Sequence, residues 1–254
     1  MIDRFVRLGI LGLIVLLGAG CASTSEDDDP TEGMQVAEIY EEASGMLKSG
    51  DYQQAILLYE RLESRFPYGK YAERAQMEIA YAYYKDSEPE SAIVAADRFI
   101  KLHPDHENVD YMFYLRGLAS YDLSESFMES LFDVDPSQHD PKSARRAFEY
   151  FAELIKKYPK SRYSKDALQR MTLIRNNLAQ YEVNVASYYM RRGAYLAAAN
   201  RGKYVVQNYQ QTPAVADALA IMVDAYGKLG MRDLANDTKR VLQLNHPDHK
   251  SLQK

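Results

Sequence analysis

A set of marks recurs along this chain, twice at an interval of 37 residues. Gly50, Ala55 and Pro67 reappear as Ser87, Ala92 and Pro104, each 37 positions on. Ala147 and Pro159 keep the 12-residue gap between the second and third marks, and Gly193 and Ala198 keep the five-residue gap between the first and second. Gly230, Ala235 and Pro247 keep both. Between the marks, apolar residues step by three and four. Ala37, Tyr40, Ala43 and Leu47 form one stripe, and Tyr52, Ala55, Ile56, Tyr59 and Leu62 the next, which is the period of an amphipathic helix. The loop "SGD" between them is short enough to force an antiparallel helical hairpin, and Pro67 stops the second helix. Five hairpins follow, with bodies at 35–67, 71–104, 108–159, 163–210 and 213–247. A single hairpin cannot bury its own apolar face, so the expected fold is all-α, a solenoid of five stacked helical hairpins. The small residues at Gly50, Ala55 and their counterparts are expected to let paired helices cross closely.

These hairpins resemble the tetratricopeptide repeat, whose period is about 34 residues with a glycine near the turn, an alanine opening the second helix and a proline after it. Two places depart from the period. The third hairpin carries about 18 extra residues, "SESFMESLFDVDPSQHDP", near 122–141. Their apolar side chains either fold back over the solenoid or meet a partner. The fourth hairpin opens with "YSKDALQRMTLIRNNLAQYEVNVASYYMRR", a helix of about 28 residues with no glycine or proline. At 1.5 Å per residue it is about 42 Å long, enough to stiffen a join between N-terminal repeats 1–3 (34–160) and C-terminal repeats 4–5 (161–250).

The tetrapeptide "HPDH" occurs at 103–106 and again at 246–249 and holds four of the five histidines. The spacing invites a metal reading. However, Pro104 and Pro247 are both terminal prolines of a repeat, so the two copies mark one register in hairpins two and five. They are expected to lie far apart as helix endings, where histidine suits the negative helix terminus. His139 is expected in a solvent-facing loop. No nucleophile elbow, zinc-protease motif or phosphate loop occurs, so neither an enzyme nor a cofactor or metal is expected.

The N-terminus places the chain. Arg4 and Arg7 precede the apolar run "LGILGLIVLLGAG", which ends at Cys21, the only cysteine. That run is too short to span a bilayer and has the layout of a secretory signal over 1–20. "LLGAGC" resembles a bacterial lipobox, which implies acylation of Cys21. Ala22 after it implies sorting to the outer membrane, with the body in the periplasm. Residues 21–33 form an acidic tether. Without the leader the chain has 29 Lys and Arg against 35 Asp and Glu. Five of those acids fall within 26–32, so the body is near neutral, which argues against nucleic-acid binding.

There are 21 tyrosines and no tryptophan. Tyr59, Phe66, Phe99, Phe151 and Tyr158 read as core. The cluster in "FPYGKYAERAQMEIAYAYYK" exceeds what one stripe can bury, with Tyr81 its most core-like member. Tyrosine gives large contact area at low entropy cost, which suits a groove for an extended peptide.

Taken in order, "RFPYGKY", "IAYAYYK", "DRFIKLHPDHENVDYMFYLRG", "FDVDPSQHDP" before "ARRAF", and "LAQYEVNVASYYMRRGAYLAAANR" resemble the BamD family along the whole chain. The resemblance implies a lipoprotein component of the outer-membrane β-barrel assembly machine. It implies a role without catalysis: N-terminal repeats receive targeting segments of unfolded outer-membrane proteins, and C-terminal repeats hold the periplasmic domains of BamA, an Omp85-type barrel subunit. Companion lipoproteins dock as well. Carried onto this sequence, the segment-binding residues would be Tyr68, Gly69, Tyr71, Tyr83 and Tyr84. The barrel-subunit contact would involve Arg201 first, then Arg191 and Arg192. The alternative is a generic periplasmic scaffold lipoprotein, for example in pilus assembly or peptidoglycan turnover. Gly202, inside a helical stretch, would cost about 1 kcal/mol against alanine, and close approach of a neighbour is one reason to keep it.

Overall fold

The computed structural model describes residues 29–124 and 141–253. The expected signal peptide, Cys21, the tether up to residue 28, His139 and nearly all of the insertion lie outside them. Ten α-helices occur among the described residues: α1 Val36–Ser49, α2 Tyr52–Arg65, α3 Lys70–Lys85, α4 Pro89–Leu102, α5 Val109–Asp122, α6 Lys142–Lys157, α7 Ser164–Arg191, α8 Tyr195–Asn208, α9 Ala214–Lys228 and α10 Arg232–Asn245. They pair into the five expected hairpins, and each helix packs on the next along the chain. First helices of successive hairpins also touch, α1 on α3, α3 on α5 and α7 on α9. The result is a tetratricopeptide-like solenoid. None of these helices is long and apolar enough to cross a membrane.

The repeat marks have two separate physical causes. Gly50, Gly193 and Gly230 stand at φ of +87°, +74° and +73°, and Ser87 at +61°. Each closes its helix with the same pair of backbone hydrogen bonds. In the first hairpin the Gly50 N–H reaches the Leu47 carbonyl and the Asp51 N–H the Met46 carbonyl, and in the second Ser87 reaches Tyr84 and Glu88 reaches Tyr83. This is a left-handed helix cap. A Cβ added at Gly50, Gly193 or Gly230 would meet nothing within 4 Å. The turn glycines therefore supply a backbone conformation, and the expectation that Gly50 permits close helix crossing is corrected. The alanines do answer to closeness. Ala55, Ala92, Ala147 and Ala198 are fully buried, while Ala235, in the last of the described α-helices, is half-buried.

Close crossing depends on glycines of another kind. A Cβ on Gly202 in α8 would lie 2.7 Å from Met222 Cγ and 2.9 Å from the Ala218 carbonyl oxygen. A Cβ on Gly117 in α5 would lie 2.5 Å from the Phe151 ring. These two mid-helix glycines set the contacts of α8 with α9 and of α5 with α6.

Every second helix ends in one way. Phe66, His103, Tyr158, Tyr209 and His246 hold φ between −121° and −140°, and four of them precede a proline, which disfavours the helical conformation. In the two HPDH copies, the His103 and His246 N–H groups each bond the carbonyl four residues back at 2.8 Å. His106 and His249 then bend to the first turn of their hairpin's first helix. Their Nε2 atoms lie 3.7 Å from Glu73 and 3.1 Å from Asp217, each the fourth residue of its helix. The two copies are one helix ending used twice, and no group of three or more potential ligands among the described residues has metal-site geometry.

The largest core runs from α3 to the first half of α7, with Phe99, Met112, Phe113, Phe151, Leu154 and Ile174 at its centre. A second core fills α1 to α3. The second half of α7 turns to a third core with α8 and α9 through Ala179 and Val183. The long helix is thus shared by both parts of the chain.

Candidate functional site

The five tyrosine-region residues occupy three surroundings. Pro67 ends the chain's run along α2, and Gly69, at φ +96°, turns it into α3. Tyr68 on this corner is 91% exposed. One helical turn on, the Tyr71 ring packs against Tyr40 at 5.5 Å, Tyr40 packs against Tyr59 at 5.6 Å, and the Arg74 guanidinium lies over Tyr40. Burial pushes the Tyr40 hydroxyl up in pKa. Beside this ladder, α3 and the loop before α5 enclose a groove of about 640 Å³. Its walls include Lys70, Arg74, Met77 and Glu78. Glu78 is pushed up by burial and only partly held down by Arg74 and Lys48.

Tyr83 and Tyr84 lie at the other end of α3 and diverge, because successive residues on a helix point about 100° apart. The Tyr83 hydroxyl donates to Glu60 at 3.4 Å. With Ile79, Val94 and Arg98 it lines a different groove of about 420 Å³ between α2, α3 and α4. Tyr84 faces α5, where burial and then Asp122 push its hydroxyl up to about 12. The structure brings Tyr68, Gly69 and Tyr71 together, and does not bring Tyr83 and Tyr84 onto their surface. Tyr81 is half-buried against the main core.

At the other end of the molecule, Arg191 and Arg192 close α7, both within about 6 Å of the Tyr188 ring. Arg201 lies on the rim of the buried stripe of α8 formed by Ala198, Ala199, Gly202 and Val205. Its Nη1 donates to Glu182 Oε2 at 2.8 Å. Desolvation lowers the Arg201 pKa and the Glu182 carboxylate outweighs it, for a net rise. Glu182, of which 1% of the side chain is exposed, also accepts from Arg145 Nη2 of α6 at 3.4 Å. Near the middle of the solenoid, Arg116 in α5 bridges Asp97 of α4 at 2.6 Å and Glu153 of α6 at 2.5 Å, with its guanidinium 4.1 Å above the Tyr150 ring. Between α5 and α7, Tyr114 stacks on Tyr163 at 4.7 Å and donates to Asp166 at 2.6 Å, which Arg170 also holds.

Sequence reading passed over Glu182 and Arg116. Each is a charge on an otherwise apolar face: Glu182 among Leu178, Ala179, Val183 and Ala186, and Arg116 within "YMFYLRGLASY". A lone charge on a buried stripe must find a partner, and that was the available signal. The partners come from other helices and were not visible.

A family model described as YfiO, outer membrane lipoprotein, matches residues 32–242, from before α1 into α10 of the fifth hairpin. The outer membrane protein assembly factor BamD of Neisseria meningitidis serogroup A is 45% identical over 237 residues, covering 93% of this chain and 89% of the relative. BamD of Xylella fastidiosa Temecula1 is 40% identical over 243 residues, covering 95% and 82%, and BamD of Vibrio cholerae is 37% identical over 237, covering 93% and 96%. The chain belongs to the BamD family. It is thus an outer-membrane lipoprotein of that family. The departures from an even repeat, including the 28-residue α7, are part of the BamD-family region that the match spans.

Proposed function

We propose that this chain is a non-enzymatic adaptor of outer-membrane β-barrel assembly. Its N-terminal hairpins hold targeting segments of unfolded outer-membrane proteins, and its C-terminal hairpins hold a BamA-like Omp85 barrel subunit. Companion lipoproteins of the machine complete the set of partners. The observation that carries this reading is the family match over the full solenoid, at 45% identity to a named assembly factor. The geometry supports the division of labour. The exposed Tyr68, the Tyr71–Tyr40 ladder and the adjoining 640 Å³ groove lie at the α3 end. Arg201, Arg191 and Arg192 lie on α7 and α8. An unfolded β-strand segment alternates apolar and polar side chains, and an aromatic ladder beside a polar groove offers contacts for both. The shared helix α7 holds the two ends at a fixed spacing. Lipid on Cys21 would anchor the body to the membrane.

The test separates the two ends. Tyr68→Ala with Tyr71→Ala is expected to weaken binding of a C-terminal targeting peptide while leaving barrel-subunit association intact. Arg201→Glu is expected to do the reverse, with a loss of roughly 2 kcal/mol or more for a charge placed against its former partner. Fluorescence titration of the peptide and co-purification of the barrel subunit read the two arms. Equal loss of both activities in either variant would end the two-ended reading.

A further inference from the structure

The proposed docking end turns on Arg201, and the structure shows what holds that side chain. Glu182 lies on the apolar face of α7, with Leu178, Ala179, Val183 and Ala186 buried around it. A carboxylate in such a place is costly unless it is paired. Its two oxygens take separate partners from neighbouring elements, Arg201 Nη1 of α8 at 2.8 Å and Arg145 Nη2 of α6 at 3.4 Å. Two guanidinium groups meet one carboxylate, so the cluster keeps one unit of positive charge. Arg201 is engaged through one nitrogen, and 44% of its side chain stays exposed. A guanidinium is a planar fork with five donors, so an arginine held along one edge still offers another.

We propose that Glu182 is a positioning residue for the docking end. It pins Arg201 in one orientation, so that the outward edge of the guanidinium donates to a carboxylate of the barrel subunit. The inference rests on the reading of Arg201 given above and adds a reason for its strength. A free arginine loses its rotamer freedom when a partner binds. A pinned one has lost it on folding, and the partner meets a preorganised donor pair. Arg145 of α6 takes the other Glu182 oxygen at the longer distance of 3.4 Å, and the Arg201 contact does not depend on it. The competing account is that Glu182 only glues α6, α7 and α8 together.

The experiment titrates the full-length lipidated chain with the full barrel subunit in detergent and reads Kd. Arg201→Ala and Glu182→Gln are each expected to weaken association about tenfold, and the double variant no more than either alone, because residues acting through one contact are not additive. Arg201→Lys keeps the charge but has no second edge to present, and loses most of the affinity. Arg145→Ala leaves the Arg201–Glu182 bond in place and stays within about twofold of the parent. Multiplying losses in the double variant, full binding by Arg201→Lys, or a tenfold loss in Arg145→Ala would each overturn the positioning role. Unchanged association of Arg201→Ala overturns the docking reading itself and the positioning role with it. Circular dichroism checks that Glu182→Gln folds. If it does not, Arg201→Lys and Arg145→Ala still decide between pinning and glue.

Discussion

A methyl group at Gly202 would meet the Met222 side chain and the Ala218 carbonyl oxygen, both inside contact distance. Helix propensity alone would favour alanine there by about 1 kcal/mol. The carbonyl belongs to the backbone of α9 and cannot rotate aside, so the helices must separate. Gly202→Ala is expected to destabilise by ~1–3 kcal/mol, in the range of other overpacked sites, and a thermal melt against the parent checks it. A raised melting temperature would show that α8 and α9 part freely. Tyrosine hydroxyls carry the second residue-scale expectation. Burial pushes Tyr84, Tyr114 and Tyr209 up to about 12 from 10.0, each with further help from a neighbouring acid or tyrosine. Their folded pKa lies above the unfolded one, so the stability they contribute is complete below pH 10 and is lost as pH rises toward 12. Melting temperature should stay level up to about pH 9 and fall above 10. Absorbance near 295 nm should show a late-ionising set of tyrosines whose titration coincides with unfolding. A single titration at ordinary tyrosine pKa with the fold intact would contradict this.

The element that repeats is the turn between paired helices. Three of its four described copies place glycine at positive φ, and the fourth places Ser87 there. A side chain in that region is strained, and glycine is the residue that adopts it freely. Ser87→Gly is therefore expected to stabilise the second hairpin by ~0.5–1 kcal/mol, the strain relieved less the extra freedom gained by the unfolded chain. Denaturant midpoints compare the two, and a lower midpoint for Ser87→Gly would remove strain as the explanation for glycine at its counterparts. The other repeated element is the second-helix ending, in which a residue before proline leaves the helix. It explains why HPDH occurs twice at one register. In both copies the second histidine reaches an acid in the first turn of its own hairpin.

Across the whole molecule, the long helix α7 is what distinguishes this solenoid from an even one. Its first half lies in the core with α3 to α6, and its second half in the core with α8 and α9. Charges placed at the joints hold the halves in register. Arg116 binds α4 and α6 to α5, the Tyr114–Asp166–Arg170 set binds α5 to α7, and Glu182 binds α6, α7 and α8. Breaking a buried pair from one side costs more than removing both partners, so these joints resist relative movement of the two ends. The proposed separation of segment binding from barrel-subunit binding rests on the assembled stack, and the variants at Tyr68 with Tyr71 and at Arg201 test it at that level.

The number of hairpins, their register, the 28-residue helix, the equivalence of the two HPDH copies and the family are all legible in the order of residues. These rest on local rules: apolar period, turn residues, prolines and their spacing. Tertiary structure alone decided why each small residue is small. Sequence puts Gly50 in a turn and Gly202 inside a helix, but only the assembled helices show that the first answers to its own φ and the second to Ala218 and Met222 on the next helix. It also decided that of the neighbours Tyr83 and Tyr84 one lines a groove and the other packs toward α5, and that the exposed Arg201 is already held by Glu182. Closeness between helices and the pairing of buried charges depend on atoms contributed from distant positions, and no local pattern carries that information.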